Sequence, residues 1–357
     1  MKVAMKMSSG TVFLAALWLG WISCGGHVPQ TAAPFLSDGR YDSEFPNRNV
    51  SHQLKDISES IKLLNSIAYY KSYVFPENSR IRPADINQST LKNDATQQIY
   101  FTNTASGTGC IISNDGSKLL LLTCAHIIDF PDTIIKYQNS DNLKKEFVQS
   151  ISFKEKQTNY ASDLPSSGEF EVVASDENAD IALLGQKFID GQFHNIPVFS
   201  YPLGNAKDLE WGSFVYLLGF PRGYKMVTTG IVSDPNRGKD GSFLLDALFN
   251  RGFSGGIVLA IRDGVPNFEW VGIARSAAAE YDLKIKPPEH FDLTKYDDHL
   301  PYHGDFFVEQ DVEIQYGITH IIPMENIRKF LSQNALKIRS AGYTLPQATN
   351  IDSKKNK

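Results

Sequence analysis

Asn250-Arg251-Gly252-Phe253-Ser254-Gly255-Gly256 runs straight into Ile257-Val258-Leu259-Ala260-Ile261, and Asp263-Gly264 closes the run. A nucleophilic serine needs an exposed hydroxyl and backbone N–H groups aimed where charge develops on the substrate oxygen. Glycines beside it allow the dihedrals that turn those amides inward. Gly252-x-Ser254-x-Gly256 also fits the elbow of an α/β-hydrolase esterase, with Asp292 and His320 following in order. That elbow opens a helix, whereas the branched apolar residues at 257–261 read as a strand. The segment therefore points to an all-β fold.

Short β-type runs recur on both sides of it. They are Ile67 to Phe75, Gln98 to Thr102, Gly109 to Ile112, Leu119 to Thr123, Phe170 to Ala174 and Ile181 to Leu184, then Phe214 to Leu218, Met226 to Val232, Trp270 to Ala274 and Gln315 to Ile322. Many short strands between Gly-rich turns describe a sandwich or barrel. Helical spacing of Leu54, Ile57, Ile61 and Leu64 predicts a helix over 51–66, and a closing helix is predicted over Met324–Leu331. Residues 137–168 and 276–312 are polar and read as long loops or insertions. Residues 336–357 read as a disordered tail. A net charge of -5 provides no global basic field, so nucleic acid is not an expected partner.

Two more segments can serve a serine. Leu121-Leu122-Thr123-Cys124-Ala125-His126 runs an apolar strand into a small-residue turn ending in histidine, a rigid mounting for a base. Asp176-Glu177-Asn178-Ala179-Asp180 precedes Ile181-Ala182-Leu183-Leu184, so Asp180 abuts a strand and can hold an imidazole in one tautomer. Asp163 and Asp176 are the alternatives. In the order His, Asp, Ser, these segments resemble the signatures of trypsin-like serine peptidases, most closely the bacterial high-temperature-requirement (Deg-type) branch. Ser106-Gly107-Thr108-Gly109, Leu218-Gly219-Phe220-Pro221-Arg222-Gly223, Thr229 to Ser233 and Gly317 to Pro323 resemble further elements of that branch. The likeness covers about residues 62–335.

The resemblance implies a chymotrypsin-like fold. Two six-stranded antiparallel β-barrels, about 62–190 and 191–335, would flank the site, with a helix at the C-terminal end. It implies hydrolysis of protein or peptide substrates without cofactor or metal. Ser254 would be the nucleophile, His126 the base, Asp180 its orienter, and the Gly252 and Ser254 amides the oxyanion hole. Leu248 would floor the primary pocket and favour aliphatic or small residues. Ala274, Arg275 and Ser276 would pair with the substrate backbone. Phe253 stands where digestive members carry an aspartate that pairs with a newly cut N-terminus, so that activation is not expected. No PDZ domain is expected after Leu331. An inactive homologue acting as a binding module is the competing function class. His299-x-x-x-His303 lies in a loop rich in Pro and Asp and does not read as a metal site.

Lys2, Lys6 and the apolar run Val12 to Ile22, shorter than the ~20 residues a membrane-spanning helix needs, read as an export signal over residues 1–24. Ser23-Cys24-Gly25-Gly26 resembles a lipoprotein cleavage box, which would acylate Cys24 and anchor the chain to a membrane. A plain signal cut after Thr31-Ala32-Ala33 is the alternative. The expected location is the periplasm or cell envelope, with residues 25–61 as a tether and short helix. Export permits a disulfide between Cys110 and Cys124, which flank the hairpin signal Asn114-Asp115-Gly116-Ser117. Two buried free thiols are the other possibility.

Overall fold

The computed structural model describes residues 37–46, 48–138, 146–164, 169–188, 195–237, 239–287, 291–292, 294, 297 and 299–345, with only the backbone of 277–282 and 310–316. The export signal, Cys24 and the end of the tail (346–357) lie outside the described residues.

Helix α1 (Ser51–Glu59) gives way to strand β1 (Ile61–Val74). The helix predicted over 51–66 stops early because the hydroxyl and N–H of Ser60 both donate to the Ile57 carbonyl. Ile61 and Leu64 are core residues of a strand instead. The connection to β2 (Gln97–Asn114) carries helix α2 (Gln88–Asn93), capped by the Asn87 side chain. Then follow β3 (Lys118–Thr123), β4 (Thr133–Tyr137), β5 (Val148–Ala161), β6 (Glu171–Asp176) and β7 (Ile181–Lys187).

These seven strands form one antiparallel sheet in the order β4-β5-β1-β2-β3-β7-β6. A bridge between Tyr160 and Glu169 brings β5 round to the start of β6. Six strands thus wrap toward closure, and β4 adds a seventh to the six expected. Much of β4 and β5 arises near or within a stretch predicted as a polar insertion. Its inward residues include hydrogen-bonded polar ones, with Ser152 meeting Ser72 and Asn159 meeting Ser66. Hydropathy alternation therefore does not reveal them.

The second half contains β8 (Phe214–Gly219), β9 (Met226–Arg237), β10 (Ser242–Asp246), β11 (Ile257–Ile261), β12 (Phe268–Lys286) and β13 (Phe307–Pro323). They close as a six-stranded barrel, β10-β13-β12-β11-β8-β9, around Val215, Leu217, Phe243, Phe253, Val258 and Val271. The fold is chymotrypsin-like and mostly β. Part of the polar stretch 276–312 is not loop: Ala278–Lys286 pairs with Phe307–Gln315 as a ribbon. Leu283, Ile285 and Val308 on it are exposed, so no buried face imposes a pattern on the sequence.

Helices α3 (Met324–Gln333) and α4 (Ala335–Ser340) close the chain. Residues 336–345 are therefore not a disordered tail. Ile338 and Tyr343 are buried, Tyr343 donates to Glu171 at 2.7 Å, and Ser113 donates to the Thr344 carbonyl at 2.7 Å. The predicted tether also docks from Gly39 onward. Tyr41 is buried beneath the Arg262 guanidinium, and the Asp42 N–H joins the Ile261 carbonyl.

Candidate active site

Strand β3 is buried along Leu119–Leu122 and ends in a single 3-10 turn, Ala125–Ile127, which carries His126. Its neighbour β7 starts just after Asp180, and Thr123 pairs with Ala182. Ladder register alone thus brings the histidine and the carboxylate together. Asp180 adopts φ +55°, a left-handed conformation that aspartate tolerates better than most side chains. Its carboxylate accepts the His126 N–H at 2.9 Å and lies 2.8 Å and 3.0 Å from His126 Nδ1. The Asp180 side chain is 6% exposed and that of His126 47%. The carboxylate is buried and the imidazole is open. Asp176 instead accepts the Ala179 N–H within its own turn. Asp163 lies in another turn and makes no bond to His126.

A third donor reaches Asp180. Arg275 Nε lies 3.1 Å from Oδ2. Ala274 pairs with Ile321 and Ser276 with His320, so Arg275 is the extra residue of a bulge in β12. Bulges re-aim side chains in this way.

The Ser254 loop is held from several sides. Phe253 is buried in the second barrel. The Gly255 N–H donates to the Ala274 carbonyl, and the Ala274 N–H to the Gly256 carbonyl, both at 2.8 Å. Both backbone groups of Ala274 are therefore committed to the loop, and only Arg275 and Ser276 of the expected substrate strand line the cleft. Gly252 has φ +103°, and a Cβ there would collide with the Phe220 carbonyl oxygen. Among the described residues, the amides of Gly252 and Ser254 donate to no protein acceptor. Such unspent donors beside a serine suit an oxyanion. The Ser254 hydroxyl donates to the Arg275 carbonyl at 3.1 Å.

Thr108 on β2 escaped the sequence reading, although the quoted Ser106 to Gly109 segment contains it. Its fully buried hydroxyl donates to the Gly252 carbonyl at 2.7 Å and accepts the Phe220 N–H at 2.9 Å. Its own N–H donates to the Ser254 carbonyl at 2.7 Å. The first half thereby grips the serine loop of the second.

His126, Gly252, Ser254, Arg275 and Ser276 line one cleft of about 640 Å³, together with Leu63, Phe249, Arg222 and Arg251. Leu248, expected as the pocket floor, is 62% exposed and lies outside that lining, while Phe249 takes the place in the wall. Both residues lie in the irregular segment after β10, where no strand alternation fixes which side chain faces the cleft.

Cys110 and Cys124 are buried free thiols. The ladder between β2 and β3, which contains a bulge, sets Cys110 opposite Leu122 rather than Cys124. Cys124, His126 and Asp180 offer atoms within 4.8 Å of one another. Burial, then Asp180, pushes the Cys124 thiol well above its ordinary range, and it faces the Ala274 carbonyl at 3.4 Å.

Residues 107–273 match the family described as trypsin-like peptidase domain. The chain is 30% identical over 240 residues to serine protease HTRA1 of Xenopus tropicalis, covering 64% of this chain and 36% of that protein. It is 29% identical over 202 residues to serine protease HTRA1A of Danio rerio, covering 54% and 35%. The aligned part thus spans about a third of the length of these relatives.

Proposed function

We propose that the chain is a trypsin-like serine peptidase of the HtrA (Deg) type, on the match over residues 107–273 and the likeness to HTRA1 proteins, and that it hydrolyses peptide bonds through Ser254, His126 and Asp180. The observation that carries the reading is the buried Asp180 carboxylate on Nδ1 of a half-exposed histidine, in one cleft with a glycine-flanked serine. Ser254 Oγ attacks the scissile carbonyl carbon while its proton passes to His126 Nε2. The oxyanion takes the Gly252 and Ser254 amides. His126 then protonates the leaving amine, and water releases the acyl group through the same base. At rest the hydroxyl occupies the Arg275 carbonyl. A substrate strand that donates to that carbonyl frees the hydroxyl to turn toward His126.

A fluorophosphonate probe should label wild-type protein at Ser254, mapped by peptide mass spectrometry, and leave Ser254→Ala unlabelled. Casein cleavage should fall by about 10⁶ in that variant. Equal cleavage by both proteins would end the assignment. The N-terminal segment supports a further part of the same reading: export directed by residues 1–24, with acylation of Cys24. Mass spectrometry of the mature N-terminus tests it, and an unacylated start beyond Cys24 removes the anchor.

A further inference from the structure

We propose that the cleft selects peptides bearing an acidic side chain within about two residues of the scissile bond, on the side walled by Arg222 and Arg251. The inference rests on the peptidase reading and adds its substrate class. Around Ser254 the titratable lining consists of His126, Arg222, Arg251 and Arg275, and no carboxylate is among the lining residues described. Arg275 is engaged by Asp180. Arg222 and Arg251 are exposed, and neither forms an ion pair with a described residue.

Their placement is fixed by backbone rather than by chance. The Arg222 N–H donates to the Arg251 carbonyl at 2.7 Å, which ties the two loops together directly beside Gly252. Arg222 itself is held at φ +50°, a conformation uncommon for a long side chain. Two guanidinium groups with no ion-pair partner among the described residues, next to the amides that would take an oxyanion, make a positive end to the cleft. Carboxylates match guanidinium groups with paired hydrogen bonds.

The opposite flank has the other sign. Beyond His126, a second hollow is lined by Asp129, Glu177 and Asp180, with Arg275 between the two. An acidic side chain is repelled there, so the charge reversal fixes on which side of the hydroxyl it can lie. Leu63 and Phe249 add apolar wall to the same cleft, which suits the methylene groups of glutamate.

The test uses the full chain and matched peptides differing only in Glu against Gln at each position around the cleaved bond. At low salt, the best Glu peptide should exceed its Gln twin by about ten-fold in kcat/KM, and the ratio should shrink as salt is raised. The double variant Arg222→Gln, Arg251→Gln should bring the ratio close to one. Binding of the same pair to Ser254→Ala protein, followed by fluorescence anisotropy, should show the same preference without turnover. Equal affinity and equal rates for the twins in the unsubstituted cleft would overturn the inference, as would a preference that survives in the double variant. Absence of fluorophosphonate labelling and of any cleavage would instead remove the peptidase reading, and the binding ratio would still decide the charge selectivity.

Discussion

The two halves of this molecule present their reactive groups by different means. In the first, His126 and Asp180 sit at facing ends of the paired strands β3 and β7, and the ladder that builds the core also sets their separation. In the second, Ser254 rides on a glycine loop between β10 and β11 that no ladder shapes. Its form is imposed from outside by Thr108, Phe220 and Ala274. The His126–Asp180 pair is inherited from the fold. The Ser254 hydroxyl and the Gly252 and Ser254 amides are held by contacts that single substitutions can release.

The largest test of that contrast is Gly252→Ala. Its left-handed φ and the Phe220 carbonyl leave no room for a methyl group, so the loop must shift and carry the Gly252 amide with it. Loss of one oxyanion donor lowers kcat by about 10² to 10³. Fluorophosphonate labelling should slow with it, while the His126–Asp180 pair persists. Undiminished kcat would show that the loop keeps its shape without the glycine, and the contrast between the halves would fail.

Thr108→Val should have a smaller effect. Valine keeps the volume but leaves the Gly252 carbonyl and the Phe220 N–H buried without their partner, a cost of about 1–3 kcal/mol each. Thr108 touches no substrate and acts as a positioning residue. The expected outcome is a ten- to a hundred-fold drop in kcat with little change in KM, on the order of the energy lost, and recovery in Thr108→Ser. A merely structural role would lower the melting temperature without slowing labelling well below it.

The same contrast explains what the sequence made legible. His126, Asp180 and Ser254 announce themselves because each adjoins an apolar strand or a glycine cluster. The six strands of the second barrel follow from β-type runs, except β10. Its half-buried Leu244 and neighbouring polar residues blur the alternation of Ser242–Asp246. Thr108 was present in a quoted motif, yet its partners lie more than a hundred residues away, and no local pattern signals them. β5 is hidden by buried Ser and Asn, and Leu248 and Phe249 lie in an irregular segment where no periodicity tells which of them faces the cleft. Arg275 on Asp180 depends on a bulge, which a single sequence does not mark.

The smallest effect concerns acid sensitivity, which should also divide between the halves. In the second barrel, burial first and then Arg237 and Arg275 hold His320 below the ordinary imidazole range. It lies on β13, opposite Leu244 on β10 and Ser276 on β12. The unfolded chain binds that proton more readily, near pH 6.5, so stability rises with pH through this window and declines as pH falls below it. In the first half, Lys187 and then Tyr343 hold the Glu171 carboxyl below its usual range. Its contribution is present above the ordinary carboxylate value and is lost only as pH falls past that depressed value, far from the histidine window. Melting temperature measured between about pH 7.5 and pH 5.5 should therefore decline in wild type, with a shallower slope in His320→Gln. Removing Glu171 as Glu171→Gln should lower the whole curve without changing its slope. An unchanged slope in His320→Gln would place the acid-sensitive group elsewhere and return the two halves to equal footing.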